Sequence, residues 1–305
     1  MRRYILRRLW QGALAILGAL LIIFVAQRLS GDPVALMLPM DADEAAFDAM
    51  RTSLGLDRPV PVQFLTFLGD ALQGDLGHSY LWNTPASKLV LERLPATLEL
   101  ALGGLAFALL LAVPLGVLSA LHRGSWVDKT AKLLALLGQA MPGFWVGLLL
   151  IVFVAVRLQL LPAFGRGGLR HLVLPAIALG WYPVAAMTRT LRSSMIDILE
   201  SDYVRTARAL GFSERAIVWR FALRNAAVPL ITMIGLYFGR MLGGAVVVEV
   251  VFAWPGVGRT VVEAVFARDF PVVQAGVLLT AVIFVVVNLL VDLSYGFIDP
   301  RIRHD

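Results

Sequence analysis

The apolar positions of this chain gather in blocks. Six long runs cover 10–29, 97–121, 131–156, 172–188, 226–251 and 272–298. A helix needs about 20 apolar residues to cross a bilayer, and these runs are near that length. The fourth is the shortest and carries Pro175 and Pro183. Between the first two runs lies a long polar segment, 31–96, with helix signals over 41–54 and a turn at Leu56-Asp57-Arg58-Pro59. A second punctuated stretch, Gly74-Asp75-Leu76-Gly77-His78-Ser79, follows it. Asp41, Asp43, Glu44 and Asp48 make the first half acidic, which suits either a solvated cap of short helices or a receptor-docking surface. A second polar segment, about 190–225, is basic and helix-forming.

Composition agrees with the blocks. Apolar residues make up 59% of the 305 and charged residues only 16%, where a soluble chain carries about 25% charge. The mean hydropathy is +0.78. The pattern predicts an all-α polytopic membrane protein with six transmembrane helices. The first run follows Arg2, Arg3, Arg7 and Arg8, as in a signal peptide, but it is too long and lacks a clear cleavage site before Ser30-Gly31-Asp32. It is read as a retained helix.

Basic residues set the orientation. With the N-terminus inside, the inner segments hold Arg2, Arg3, Arg7 and Arg8, then Arg123, Lys129 and Lys132. They also hold Arg189, Arg192, Arg205, Arg208, Arg215, Arg220 and Arg224, and in the tail Arg301 and Arg303. The short outer loops hold only Arg157, Arg166, Arg170, Arg259 and Arg268. The segment 31–96 is discounted, since long loops translocate largely regardless of charge. Both termini are expected in the cytoplasm. The net charge of +6 is this bias and argues for no nucleic acid. With no cysteine, disulfides and thiolate chemistry are excluded.

Enzyme chemistry finds little footing. The nearest approach to a phosphate-binding loop is Gly258-Arg259-Thr260, where Ala253 stands for the first glycine and Arg259 for the lysine. His78, His122, His171 and His304 form no zinc-binding pair on a helix face. Charges within the runs are the stronger signal, because each costs about 2.5–3.5 kcal/mol at a helix centre. Arg240 lies deep in the fifth run, and Glu99, Glu249 and Asp292 lie nearer the ends of theirs. Arg240 and Glu249 fall on opposite faces of one helix. Arg240 therefore needs a partner on another helix or a watery path, and Arg240, Glu249 and Asp292 are candidates for a pathway or for buried charge.

Gly235, Gly239 and Gly243 share one helical face, the pattern of close helix packing in lipid. Trp254 and Pro255-Gly256 then suit a turn at the membrane interface. A short helix is expected over 260–267.

The basic segment reads as a hairpin. Ser201 or Asp202 caps a helix over 203–210, Gly211 supplies a left-handed end, and Ser213 caps a second helix over 214–225. An ordinary basic loop and a knob that a soluble partner can grip are equal readings of the residues alone.

The stretch Asp202-Tyr203-Val204-Arg205-Thr206-Ala207-Arg208-Ala209-Leu210-Gly211 resembles the coupling loop of bacterial ABC-importer permeases, in the dipeptide/oligopeptide/nickel branch. In the general pattern only Ala207, Gly211 and Leu223 match, with Arg205, Thr206 and Ala207 at the E-A-A places. Text outside the loop is more specific. It includes Leu223-Arg224-Asn225 before Pro229, and Gly243-Gly244-Ala245-Val246-Val247-Val248-Glu249. It also includes Phe252-Ala253-Trp254-Pro255-Gly256, Arg268-Asp269-Phe270-Pro271 and Asp299-Pro300-Arg301-Ile302-Arg303. Near the start, Gly31-Asp32-Pro33, Leu54-Gly55-Leu56-Asp57 and Glu92-Arg93-Leu94-Pro95 are similar too. The long first outer loop resembles the "B" permease of the pair.

The resemblance implies a type I importer permease fold in the bacterial inner membrane. It implies a cytoplasmic N-terminus and first helix over 1–30, an extracytoplasmic segment over 31–96 and a five-helix core over 97–305. The expected partners are a second homologous permease in a heterodimer, two ATPase subunits and an extracytoplasmic solute-binding protein. ATP and Mg would be held on the ATPases, and this chain would bind no cofactor and no metal. Short peptides are the expected solutes, with nickel chelates or glutathione as alternatives. An ion-coupled secondary transporter is the rival class, and it would show inverted repeats or broken helices at the midplane.

Overall fold

A computed structural model describes residues 2–29, 34, 43–53 and 55–298. The Gly31-Asp32-Pro33 and tail motifs, Asp41, Leu54 and the side chain of Asp292 lie outside the described residues. The described chain is helical, with only an isolated bridge between His78 and Pro85. In order the helices are α1 (Arg2–Leu29), α2 (Glu44–Ser53), α3 (Val60–Leu72), α4 (Ala86–Leu121), α5 (Trp126–Ala140) and α6 (Gly143–Leu150). After α6 the chain continues as a π-helical run, Ile151–Arg157. Then come α7 (Leu169–Leu199), α8 (Asp202–Ala209), α9 (Glu214–Val251), α10 (Val257–Phe266) and α11 (Phe270–Ile298).

Five of these are long and apolar enough to cross a membrane, and a sixth span exists if the bent pair α5–α6 counts as one. The third apolar run is thus not one straight helix. Its halves meet at 104°. Pro142 lacks an amide proton, and Met141 before it takes the extended conformation (φ −98°, ψ 123°) that a following proline favours. Two other boundaries move outward. The second helix begins at Ala86 and runs through Pro95, and the fourth continues to Leu199.

The contacts divide the chain into two compact units, 1–97 with 255–285, and 98–254 with 286–305. In the first, Ala86, Leu89 and Val90 of α4 pack with Val257 and Ala264 of α10 and with Val272 and Val273 of α11. The helix α3 leans on α1 through Phe64, whose ring lies edge-on to Phe24 at 5.1 Å. Arg28 sits 3.5 Å over the Phe24 ring and donates to the Gln63 side chain. Asp269 is fully buried and holds the 77–85 loop, accepting from Ser79 Oγ at 2.5 Å and the Leu81 amide at 3.1 Å.

In the second unit α4, α7 and α9 share one core, built on Ala108, Ala112, Met187, Leu191, Ala226 and Leu230. Small residues let the backbones approach. A Cβ on Gly180 would stand 2.5 Å from the Gly104 carbonyl, and one on Gly143 would stand 2.8 Å from the Ala178 carbonyl. Such contacts suit lipid, where apolar burial alone does not drive helices together.

Candidate functional site

The hairpin between α7 and α9 is built by one left-handed glycine reversal and a set of caps. Ser201 has the extended conformation of a helix N-cap but its hydroxyl turns back to the Ile198 carbonyl at 2.6 Å, so Asp202 opens α8. Thr206 likewise bonds the Asp202 carbonyl at 2.9 Å. At the other end Gly211 adopts φ +83°. Its N–H donates to Arg208 O at 3.0 Å, and that of Phe212 reaches Ala207 O at 3.3 Å. This pair of bonds is the Schellman end, which needs a left-handed residue where Gly211 stands. The Ser213 hydroxyl then accepts from the Ala216 amide at 3.3 Å and starts α9. A π-helical run, Ile217–Ala222, carries α9 toward the membrane.

One face of α8 anchors and the other is offered. Val204 and Ala207, three residues apart, are buried. Tyr203, Leu210 and Phe212 are 53%, 73% and 43% exposed. The rings of Tyr203 and Phe212 both flank Phe221 of α9, at 5.8 Å and 4.9 Å between centroids. Arg208 grips Glu214 across the turn, Nε to Oε1 at 2.8 Å and Nη2 to Oε2 at 3.3 Å. This pairing raises the Arg208 pKa and lowers that of Glu214, chiefly through their hydrogen bonds. Both groups face solvent, so the pair fixes the angle of the turn more than it adds stability. Arg205 pairs with Asp202 at 2.8 Å, one turn back on the same exposed surface. The result is a rigid polar knob topped with aromatic and apolar side chains.

A second cluster ties the knob's stem to its neighbours. Asp128 on α5 is fully buried. It accepts from Arg192 Nε and Nη2 on α7 at 2.7 and 3.0 Å, from Ser119 on α4 at 2.6 Å and from the Gly124 amide at 3.0 Å. Lys132 Nζ adds a contact at 2.9 Å. Arg123 reaches Glu200, at the end of α7, at 2.8 Å. Three helices and the 122–125 loop are therefore pinned at one buried carboxylate. The charge count along the sequence treats Arg192 and Lys132 only as topological markers. Asp128 carries no sign of burial there, since an acid in the first turn of a helix capped by Ser125 is ordinarily exposed.

The charges singled out within the apolar runs separate. Glu249 is buried at the end of α9, and its carbonyl accepts the Trp254 amide at 2.8 Å. Arg240 is exposed, with its guanidinium 5.9 Å from the ring of Tyr237. That ring lies one turn back on the same helix. Glu99 pairs with Arg166, Nη2 to Oε2 at 2.6 Å. Trp254 is fully buried. A left-handed Ala253 (φ +50°) turns the chain inward there.

The three glycines also divide. A Cβ on Gly235 would collide with Val291 of α11, and Gly239 is buried. Gly243 meets nothing within 4 Å.

Comparison with known proteins places this architecture. Residues 112–304 match the model of the binding-protein-dependent transport system inner membrane component, and residues 1–101 match the N-terminal part of such membrane components. The chain is 41% identical over 309 residues to the glutathione transport system permease protein GsiC of Pectobacterium atrosepticum, covering 100% of both chains. It is 40% identical over 341 residues to the dipeptide transport system permease protein DppB of Escherichia coli, covering 100% of this chain and 99% of the other. The fold is that of a crystallised amino acid ABC transporter with histidines, at TM-score 0.53, 18% identity and coverage of 68% and 92%. It is also that of the inward-facing MetNI methionine ABC transporter, at TM-score 0.52, 18% identity and coverage of 67% and 95%. The chain belongs to the inner membrane components of binding-protein-dependent transport systems, in the dipeptide/oligopeptide/nickel branch of ABC-importer permeases.

Proposed function

We propose that this permease imports short peptides, and that the knob of α8 is where a cytoplasmic ATPase moves the spans. The carrying observation is the knob itself. Its inner face is packed by Val204 and Ala207, its end is locked at Gly211, and Tyr203, Leu210 and Phe212 are left uncovered on top. An exposed aromatic and apolar surface on a rigid, hydrogen-bonded turn suits a protein partner. The stem is α7, and Asp128 links that stem to α4 and α5. A push on the knob is thereby delivered to three helices together.

The family implies a binding protein and an ATPase as partners. The finer reading has two ATPase subunits holding ATP and Mg, and a second homologous permease that forms the other half of the path. Both termini and the knob lie in the cytoplasm, following the excess of arginine and lysine there. ATP drives the cycle only by binding one state of the assembly better than the other. Arg240, exposed on α9 beside Tyr237, is the residue of this chain best suited to line the path, and Asp292 on α11 is a second candidate.

For the solute, dipeptides and oligopeptides are the main reading. Glutathione is the second, supported by full-length similarity to a glutathione permease. Uptake of labelled dialanine and of labelled glutathione into proteoliposomes, with the cognate binding protein supplied, tests both. Uptake of neither, under conditions where the ATPase turns over, sinks the solute reading. Uptake that persists without any ATPase subunit sinks the mechanism.

A further inference from the structure

Between α5 and α7 lies a cleft of about 320 Å³, with Lys132, Gln139, Thr188, Arg189 and Arg192 among its lining. No acid lines it among the described residues. Lys132 and Arg192 are held by Asp128. Arg189 is different, for its Nη1 donates at 3.0 Å to a neutral acceptor, Gln139 Oε1. Beside it Thr188 is only 3% exposed, and its hydroxyl has no protein partner. A buried hydroxyl without a partner costs about 1–3 kcal/mol, so such a group at the wall of a cleft is set for a ligand or for water. A surplus of cations beside a free hydroxyl calls for an anion.

The depth of the cleft narrows the choice of anion. From Leu169, where α7 begins, to Arg189 the helix rises about 30 Å, the thickness of the hydrocarbon core. Arg189 therefore stands at the level of the headgroups on the side of the knob. One wall is basic and polar, and the other is apolar, made by Ala131, Ala135 and Leu136. A free inorganic ion would use only the first wall. A phospholipid uses both, and basic pockets between membrane helices on the cytoplasmic side are suited to anionic headgroups.

We propose that this cleft binds an anionic phospholipid of the cytoplasmic leaflet. The phosphate meets Arg189 and Thr188, and the start of an acyl chain lies along Ala131, Ala135 and Leu136. The site adjoins the Asp128 cluster, so a bound lipid stiffens the joint through which the knob is held. The assignment to the cytoplasmic leaflet rests on the orientation proposed above and on nothing about the solute.

The test uses the purified complex with its partner permease and ATPases in neutral detergent. Native mass spectrometry reads lipid retained after incubation with phosphatidylglycerol or phosphatidylcholine of the same chains. The wild type retains phosphatidylglycerol with about a tenfold preference, one decade of affinity. Arg189→Gln abolishes the preference, Thr188→Val reduces it several-fold, and Arg189→Lys keeps it, which separates charge from folding. Equal retention of both lipids by the wild type overturns the proposal. So does wild-type preference in Arg189→Gln. Displacement of phosphatidylglycerol by a transported peptide also overturns it, giving the cleft to the solute.

Orientation is read separately. The chain has no cysteine, so Arg215→Cys is a unique label site for a membrane-impermeant maleimide. Labelling from the outer side only would refute the leaflet, while lipid preference in detergent still reports on the cleft.

Discussion

Arg192 holds the buried carboxylate of Asp128 with two nitrogens, Nε on Oδ1 at 2.7 Å and Nη2 on Oδ2 at 3.0 Å. This bidentate geometry joins α7 to α5, and the Ser119 hydroxyl brings in α4. The pair is a fixed joint because neither member can leave without stranding the other in a poorly solvated site.

Asp128→Ala leaves the half-buried Arg192 without its counter-charge, and the expected loss of unfolding stability is about 3 kcal/mol. Asp128→Leu combined with Arg192→Met regains much of that loss, since an apolar replacement of a buried pair is often neutral. Thermal unfolding of the purified chain, followed by tryptophan fluorescence, measures both. A double variant as unstable as Asp128→Ala would show that the joint is not an isolated pair.

Gly235 and Gly243 lie on one face of α9 but differ in surroundings. Gly235→Val drives a side chain into Val291 of α11 and is expected to lower stability by about 1–3 kcal/mol. Gly243→Ala meets open space and, because alanine favours a helix interior over glycine, is expected to leave stability unchanged or raised by up to about 1 kcal/mol in the isolated chain. Equal effects in the same unfolding assay would contradict this division.

Ala253 closes α9 in the left-handed conformation, φ +50°, with the Trp254 amide on the Glu249 carbonyl. A residue with a Cβ pays about 1–2 kcal/mol there, and glycine does not. Ala253→Gly should therefore raise the unfolding temperature slightly, and Ala253→Val should lower it. A fall with glycine would mean that the alanine methyl is packed well enough to outweigh its strain.

Much of this was legible along the chain, and the exceptions share a cause. The spans, the knob and Gly211 follow from local rules of run length, capping and left-handed ends, each written in a few consecutive residues. The kink at Met141-Pro142 was available too, since Pro142 interrupts the third run, but an apolar count alone passes over it. The Asp128 joint was not legible. Its partners Ser119 and Arg192 come from other helices, and Lys132, one turn on in α5, does not by itself mark Asp128 as buried. The close helix contacts of the second unit were not legible either. A Cβ on Gly180 would stand 2.5 Å from the Gly104 carbonyl on another helix, a pairing that no spacing along either helix announces. Burial of Trp254 depended on the Ala253 turn, which no glycine announces.

The knob makes a graded prediction of its own. Tyr203→Ala and Phe212→Ala remove exposed rings that flank Phe221, so ATPase affinity should fall about tenfold or more if these rings anchor the contact. Arg205→Ala, an exposed rim charge paired only with Asp202 in the described contacts, should matter less. Pulldown of the ATPase by each variant, scaled to membrane-inserted permease, gives the ranking. Equal binding by all three variants and wild type would remove the aromatic surface from the account.

The most direct measurement concerns Gly211. Proline there cannot take φ +83° and removes the amide that bonds Arg208 O, so Gly211→Pro dismantles the end of α8 without touching any span. Permease and ATPase are coexpressed, and ATP-driven peptide uptake is measured alongside ATPase copurification and the level of inserted permease. The account predicts normal insertion, with copurification and uptake both largely lost. Wild-type copurification and uptake from Gly211→Pro at normal insertion would contradict it, because force would then be entering the membrane elsewhere.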